Sequence, residues 1–504
     1  MKTEEDLEGD HRHLMKVRLL APENRKWLTL AAVTFGLFMI MLDNTIVNVA
    51  LPSIQRDLGA TVSQLEWVVN GYALTFAVLI LTGGKLADML GRRLIFIVGL
   101  AVCTASSLAC GLAGSEQILI GARVVQGAGA ALMNPATLSI IIATFPPRQR
   151  GMAIGIWAGV SASALAIGPL IGGVITEHIG WSWIFFINVP VGLLGIVVAR
   201  LAIVESRDTS HEQRLDLPGL LASALALFAL TYGLIEANTY GWTSPRILSL
   251  FAVAAIALAV FVALEIRQRL PMLDLSLFRN RTFAGANAAM MLVALAMFGV
   301  FFFVSLFTQN ILGYSATQAG ATFLPLTLLI VLVAPIAGRL SDRIGSRWLI
   351  GSGMTLLGCS LLLFSRLDQT STFWSILPGA VVGGLGMGLA MTPATAAAMG
   401  SVPVDKAGVG SAVLNSMRQV GGTLGIAVTG AIVASYVTVA PTDARYPAEF
   451  VTGFQRGLEV AAGVAFAGAL LAVLTVRRNN QADAGDLGVA VAPSAESSQE
   501  ARAA

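Results

Sequence analysis

A carboxylate and two amides stand inside an apolar run at Leu42-Asp43-Asn44-Thr45-Ile46-Val47-Asn48-Val49-Ala50-Leu51-Pro52, which begins near Leu28. A charged side chain at bilayer depth costs at least ~2.5–3.5 kcal/mol, so an acid there requires a partner, a water-filled cavity or a proton. If its helix starts near Leu28, Asp43 lies roughly 22 Å along it at 1.5 Å per residue. Arg123 sits in another run that starts near Glu116 and travels the other way, roughly 10 Å from the opposite edge of a ~30 Å core. The two charges therefore share a depth, and an ion pair would relieve both burial costs. Attraction to Arg123 favours the carboxylate and burial favours the acid, so small movements would shift the proton on Asp43. Gln126, Gly127 and Ala130 share the face of Arg123 at helical spacing and extend a polar, small surface beside it. The competing reading is a structural pair that fixes the first helix against the fourth.

The elements that must position these groups follow from composition. The chain has 504 residues, 56% hydrophobic and only 12% charged, with a mean hydropathy of +0.76. Soluble domains carry roughly 25% charged residues, so the chain is read as an integral membrane protein. About fourteen apolar runs of membrane-crossing length recur from Leu28 to Val476, and backbone in lipid must satisfy itself, so they are expected to be helices. Arg25, Lys26, Lys85, Arg92, Arg93, Arg148, Arg150, Arg214, Arg279, Arg281, Arg339, Arg343, Arg347, Arg477 and Arg478 fall in alternate loops or tails. That asymmetry marks their side as cytoplasmic and places both termini there. Met1–Lys26 is too polar for a secretory signal and the first run lacks a cleavage pattern, so the first helix is expected to stay, with the protein in the plasma membrane. The Arg-over-Lys, Ala- and Gly-rich usage suggests a GC-rich bacterium. Cys103, Cys110 and Cys359 lie in apolar runs and are read as packing residues.

The second helix ends in Gly84-Lys85-Leu86-Ala87-Asp88-Met89-Leu90-Gly91-Arg92-Arg93, and the same spacing returns at Gly338-Arg339-Leu340-Ser341-Asp342-Arg343-Ile344-Gly345-Ser346-Arg347. Gly91 permits a tight turn, Asp88 can cap a helix or pair with a base, and the arginines hold the loop at the surface. This repeated pattern resembles the loop 2–3 signature of the major facilitator superfamily, whose two six-helix halves are homologous. Leu119-Ile120-Gly121-Ala122-Arg123-Val124-Val125-Gln126-Gly127-Ala128-Gly129 resembles that superfamily's helix 4 motif. Ala164-Leu165-Ala166-Ile167-Gly168-Pro169-Leu170-Ile171-Gly172-Gly173 resembles its antiporter motif in helix 5. With the Asp43 stretch, Trp181-Ser182-Trp183-Ile184-Phe185-Phe186-Ile187-Asn188-Val189-Pro190 and fourteen helices, the chain resembles the drug:proton antiporter family of fourteen spans. Met89 and Ser182 depart from that pattern, standing where basic residues are common.

Gly84 and Gly338 are 254 residues apart, an offset that carries the first helix onto a ninth at Phe283–Asn310 and Asp43 onto Met297. Two additional helices, about Leu217–Ile235 and Ile247–Ile266, lie between the halves. The expected architecture is an all-α major facilitator fold of fourteen transmembrane helices, 6+2+6. It divides into a cytoplasmic tail (1–27), a first bundle (28–203), a linker with the two extra helices (204–282), a second bundle (283–476) and a disordered tail (477–504). The basic segment Arg267–Arg281 is expected to lie along the membrane surface.

The resemblance implies proton coupling through Asp43 and Arg123. It implies conformational gating through Gly84, Asp88, Gly91, Arg92, Arg93, Gly338, Asp342, Arg343 and Gly345, and through a pivot at Gly168 and Pro169. Asn44, Asn48, Trp67, Asn70, Tyr72, Gln126, Phe301, Gln309, Met391, Asn415 and Arg418 are candidates for a substrate cavity; for Trp67, Asn70, Tyr72, Gln309 and Met391 a lipid-facing or helix-packing role outweighs it. Arg418 lies well inside its helix and must face protein or water, and it is read as binding an anionic group or holding a countercharge, against a purely structural role. Rings and Met side chains suit bulky lipophilic cations.

No Gly-x-x-x-x-Gly-Lys-Ser/Thr phosphate loop is present, and His11, His13, His178 and His211 do not cluster as ligands. The chain is read as no enzyme, with no cofactor beyond protons as coupling ion, no nucleic-acid partner, and a monomeric state among membrane lipids. The expected function is proton-coupled efflux of lipophilic, cationic compounds by alternating access. A single acid would favour monovalent or neutral cargo over divalent cations. The alternatives are a dedicated exporter of one endogenous metabolite and a transport-dead receptor or scaffold; a passive channel fits the paired loop signatures less well.

Overall fold

The computed structural model describes residues 22–207, 216–268, 271, 273, 275–402, 407–440 and 443–476. Among the described residues thirteen helices are long and apolar enough to cross a membrane. With α5 they make fourteen in chain order. The first half holds α1 (Pro22–Leu58), α2 (Val62–Leu90), α3 (Arg92–Gly111), α4 (Glu116–Thr144), α5 (Pro147–His178) and α6 (Trp183–Ala202), the last bent at Ile187. The extra pair is α7 (Leu217–Tyr240) and α8 (Pro245–Arg267). The second half holds α9 (Arg281–Ile311), α10 (Ala316–Ser341), α11 (Ser346–Phe364), α12 (Phe373–Gly400), α13 (Ala407–Tyr436) and α14 (Tyr446–Thr475).

Local sequence fixes the ends. Thr61 and Gln64 form a reciprocal capping box that opens α2, and Ser115, Asp216, Ser244 and Asn280 cap α4, α7, α8 and α9. Each cap satisfies amide groups that a helix start leaves unpaired. Gly91 (φ +126°) separates α2 from α3 and Gly345 (φ +87°) separates α10 from α11, so both copies of the repeated loop turn on a backbone shape other residues rarely adopt. The first helix is longer than the expected Leu28–Leu51, since Pro22 can start a helix and Gly59 (φ +65°) stops it. Of the two tails, residues 1–21 and 477–504 lie outside the described residues. The segment expected along the membrane surface includes a 3₁₀ turn, Leu275–Arg279, with Leu277 buried.

The halves meet where α2 packs on α13, α1 on α9 and α5 on α10. One end of the bundle carries Arg92 and Arg93 and is called the basic end; the other is the far end. Hydrogen bonds cross the seam toward the far end: Ser305 Oγ to the Asn48 carbonyl (2.7 Å), Gln309 Nε2 to the Val49 carbonyl (2.9 Å), Asn310 to Gln55 (3.1 Å) and Ser315 to Glu177 (2.7 Å). The first has a covalent cause. Pro52 has no N–H to give the carbonyl four residues back, which is that of Asn48, and a serine from the other half takes it instead. The extra helix α7 leans on both halves. Ser63 of α2 donates to Glu236 (2.8 Å), and Asn238 donates to the Ala431 carbonyl of α13.

Candidate functional site

Asp43 on α1 and Arg123 on α4 form an ion pair, with side chains 3% and 1% exposed. Helical spacing puts Gln126 one turn from Arg123, and its amide joins both charges. Its Nε2 donates to Asp43 (3.1 Å) and to Ser107 of α3 (2.8 Å), while its Oε1 accepts from Arg123 (2.7 Å). Arg123 Nε donates to the Val68 carbonyl of α2 (3.0 Å). The guanidinium lies 4.3 Å from the Tyr72 ring centroid and 5.9 Å from that of Phe185. Taking two ions out of water costs several kcal/mol each, and only good geometry with the remaining polar atoms satisfied repays it. Here helices α1, α2, α3 and α4 all contribute. Such a site can hold a proton in exchange for the ion pair, provided access to Asp43 changes.

Two features of this network, and one buried acid outside it, escaped the sequence. Ser107 is one serine among many in apolar helices and carries no signal of its own. Cys103 and Cys110 are more than filler: their thiols reach the Gln126 carbonyl (3.5 Å) and its Oε1 (3.8 Å). Nor is Asp43 the lone buried acid, because Glu66 is 3% exposed on α2 and packs against Gly430 of α13. Glu66 stands in the first turn or so of its helix, where an acid is easily read as interfacial.

The gating candidates divide. Asp88 pairs with Arg92 on its own strip of chain (2.9 Å). Among the described residues it caps no neighbour: the start of α3 is capped by Glu205, which accepts from the Arg93 and Leu94 amides (3.0 and 3.1 Å). Gly84 and Gly338 have ordinary space, with nearest neighbours at 3.4 Å. The glycine that needs its missing Cβ is the preceding one, Gly83, which abuts the Ala131 carbonyl. Arg343 is exposed, and the side chain of Asp342 lies outside the described residues. Gly168 abuts Thr45, two residues from Asp43, and the Pro169 carbonyl faces Gly320 of α10, so this part of α5 is wedged between α1 and the other half.

Several cavity candidates are placed elsewhere. Trp67 turns away to the extra helix, packing on Phe228 (5.8 Å) and Tyr232 (5.9 Å) of α7. Phe301 stacks on Phe323 (5.0 Å) inside the second half. Gln309 closes the far end of the seam, as described. Asn44, Asn48 and Asn415 donate to carbonyls of their own helices, at 2.8, 3.1 and 3.0 Å, with the Asn44 side chain also beside the Tyr72 hydroxyl. Met391 is half-buried against the apolar core. Asn70 lies on α2 and Arg418 on α13, two helices that pack together across the seam, and Tyr72 turns instead to the Arg123 guanidinium.

The repeated loop, the central ion pair and two six-helix halves joined by an extra pair agree with the family profile of the Major Facilitator Superfamily, which matches residues 33–426. The chain belongs to that superfamily. Among its major facilitator relatives, a tetracenomycin C resistance and export protein of Streptomyces glaucescens is 39% identical over 82% of this chain and 77% of that protein. The multidrug resistance protein Stp of Mycobacterium tuberculosis is 39% identical over 82% of this chain and 76% of its own length. The puromycin resistance protein pur8 of Streptomyces alboniger is 36% identical over 92% and 94%. A solved bacterial homologue of the human lysosomal transporter Spinster, inward-facing and unoccupied, superposes on this major facilitator chain with a TM-score of 0.65 at 19% identity, covering 90% of this chain and 97% of that one.

Proposed function

We propose that the protein exports lipophilic small molecules, drugs or antibiotics among them, in exchange for protons by alternating access. One observation carries the reading: an ionisable pair, Asp43 and Arg123, buried at the junction of four helices beside the seam between the halves. Intramembrane acids are functional by default. In this reading Asp43 takes the proton, Arg123 holds its charge when the proton leaves, and the two signature loops with Gly168 and Pro169 govern the rocking of the halves. The basic end is the cytoplasmic face, both termini lie there, and the membrane is a bacterial plasma membrane in which the protein works as a monomer without a resident cofactor. An inward proton moves with an inside-negative field, worth ~2.3 kcal/mol per 100 mV, and that energy drives the cargo out.

Uptake of lipophilic dyes of either charge into inside-out vesicles with an acid lumen tests this. Asp43→Asn should lower proton-driven uptake by about 100-fold or more, while dye exchange between the two sides persists in the folded fraction, which is measured alongside because the variant leaves the buried Arg123 charge without its partner. Undiminished driven uptake in the variant would end the assignment. Relatives named for single antibiotics, tetracenomycin C and puromycin, support a second reading as a dedicated exporter. Transport confined to one chemical class across a panel of unrelated compounds would select it.

A further inference from the structure

Glu66 is the buried acid that the Asp43 network leaves aside. It stands four residues into α2, about 6 Å from the far-end start of that helix, and is 3% exposed. Helical spacing turns it away from Tyr72, which carries Arg123, and toward the other half. There its carboxylate lies on the backbone of Gly430 of α13, so close that a side chain at 430 would have to displace it. The Asn238 amide of α7 donates to the next carbonyl along α13, that of Ala431, and so a third helix closes on the same place. Among the described residues no hydrogen bond and no cation reaches the Glu66 carboxylate.

The groups around it are acidic, neutral or already committed. Ser63, one turn earlier on α2, donates to Glu236 of α7 (2.8 Å), which brings a second acid to this end of the seam. Tyr232 of α7 packs on Trp67 and takes Arg246 of α8 (2.7 Å). On α4, Glu116 accepts from Gln64 (3.0 Å) and Arg123 is bound to Asp43. Cys110 of α3 is turned to Gln126 (3.8 Å), and Asp57 of α1 accepts from Trp181 (2.9 Å). On α13, Arg418 lies twelve residues before Gly430, about 18 Å along the helix. Asn70, one turn on from Glu66, and Thr423, two turns before Gly430, are neutral and have unpaired polar atoms of their own. Burying an ionised carboxylate without a partner is so costly that such a group takes a proton instead.

Position gives that proton a role. The seam is closed at the far end by the Ser305, Gln309, Asn310 and Ser315 bonds and by Glu66 on Gly430. Where alternating access parts the halves there, α2 leaves α13 and the carboxyl meets far-side water, in which it can ionise. We propose that Glu66 is a second proton-binding site, distinct from Asp43, which takes a proton from the far side as the α2–α13 seam closes on Gly430 and returns it when the seam parts. The proton goes back to the side it came from, so it sets the balance between the two arrangements and adds nothing to the charge carried across. The inference rests on the alternating-access reading for the parting of the seam, and it adds an acid to the single one expected from the sequence. A group that holds its proton more tightly in the closed arrangement favours closure at low pH and loses that effect as pH rises, by up to about 10-fold in the closed:open ratio per pH unit.

Spin labels on cysteines placed at Gly114 and Gln369, exposed residues of far-end loops in the two halves, would follow the opening in the full-length protein in lipid nanodiscs. Cys359→Ser removes the exposed native thiol and leaves the two buried ones. The closed:open ratio should fall about 10-fold or more between about pH 5 and pH 8 in the parent protein and in the folded fraction of Asp43→Asn. In Glu66→Gln, which is neutral throughout, it should change less than about 2-fold. A full pH response in Glu66→Gln, or its loss in Asp43→Asn, overturns the proposal. Proton occupancy is read separately by infrared spectroscopy. The carbonyl band of protonated carboxylic acids should weaken in Glu66→Gln at low pH, and an unchanged band would mean that Glu66 is ionised in the closed seam and would also overturn it. Should Glu66→Gln not fold, Gly430→Ala decides: its methyl takes the place of the carboxylate and should lower the closed:open ratio at about pH 5 by about 5-fold or more, and an unaltered ratio overturns the site. Labels that hold one distance at every pH while the infrared band is lost in Glu66→Gln would remove the alternating-access reading and leave the proton site.

Discussion

Arg123 is enclosed in the first half, Arg418 is half-buried in the second, and their surroundings are opposite. Arg123 reaches Asp43, Gln126 and the Val68 carbonyl and lies on a tyrosine ring. Arg418 has an unpaired Nε and stands beside unpaired Gln419 and Thr423 atoms on its own helix. The repeat does not relate them: adding 254 to 123 gives Leu377, and subtracting 254 from 418 gives Ala164. With Asp43 against Met297, each of these three intramembrane charges stands opposite an apolar residue in the other half, unlike the charges of the repeated loops. A closed network exchanges a proton for a salt bridge and has little left to offer a ligand. An open row of donors keeps its binding capacity for whatever enters.

The comparison breaks most visibly at Arg123. Arg123→Met would keep the volume and strand the Asp43 carboxylate, and removing one partner of a buried pair costs ~3–5 kcal/mol. A fall of that order in thermal stability of the purified protein is expected, with loss of driven transport. A loss below about 1 kcal/mol would mean that Asp43 finds water or another donor, and that the network is not closed. Next comes Gln126→Leu. It removes the amide that joins Asp43, Arg123 and Ser107, leaving Asp43 Oδ1 short of a donor, for an expected loss of ~1–3 kcal/mol. Arg123→Met and Gln126→Leu share one network, so the double variant should lose clearly less than their sum.

The difference in ease with which these regions could be read follows the physics that makes each. Fourteen spans are legible since each needs only a run of apolar residues near bilayer length, and the Asp43–Arg123 pairing is legible since helical rise converts sequence position into depth. What sets the facing of Trp67 is α7, and the extra pair has no counterpart in the repeat to say which helices it touches. The Glu205 cap on α3 is a tertiary contact over more than a hundred residues. Ser107 matters only through its distance to Gln126. Asn70, Gln419 and Thr423 look like ordinary polar residues of a transport helix, and whether a polar atom is paired depends on coordinates that periodicity does not contain.

The smallest expected effect has the opposite sign, and that makes it the sharpest probe of the comparison. Thr423→Val replaces a hydroxyl by a methyl of nearly the same size on the open side. A buried hydroxyl with a partner contributes about 0.5–1.5 kcal/mol, so losing one destabilises; a buried hydroxyl without a partner carries a desolvation cost, so losing it stabilises by a similar or smaller amount. Thr423 Oγ1 is of the second kind, with 1% of its residue exposed and no partner in the protein. The variant should therefore melt at the same temperature as wild type or slightly above it, by up to ~1 kcal/mol. A Thr423→Val protein that loses about 1 kcal/mol instead would show that this hydroxyl is satisfied, and the distinction between a closed half and an open one would no longer stand.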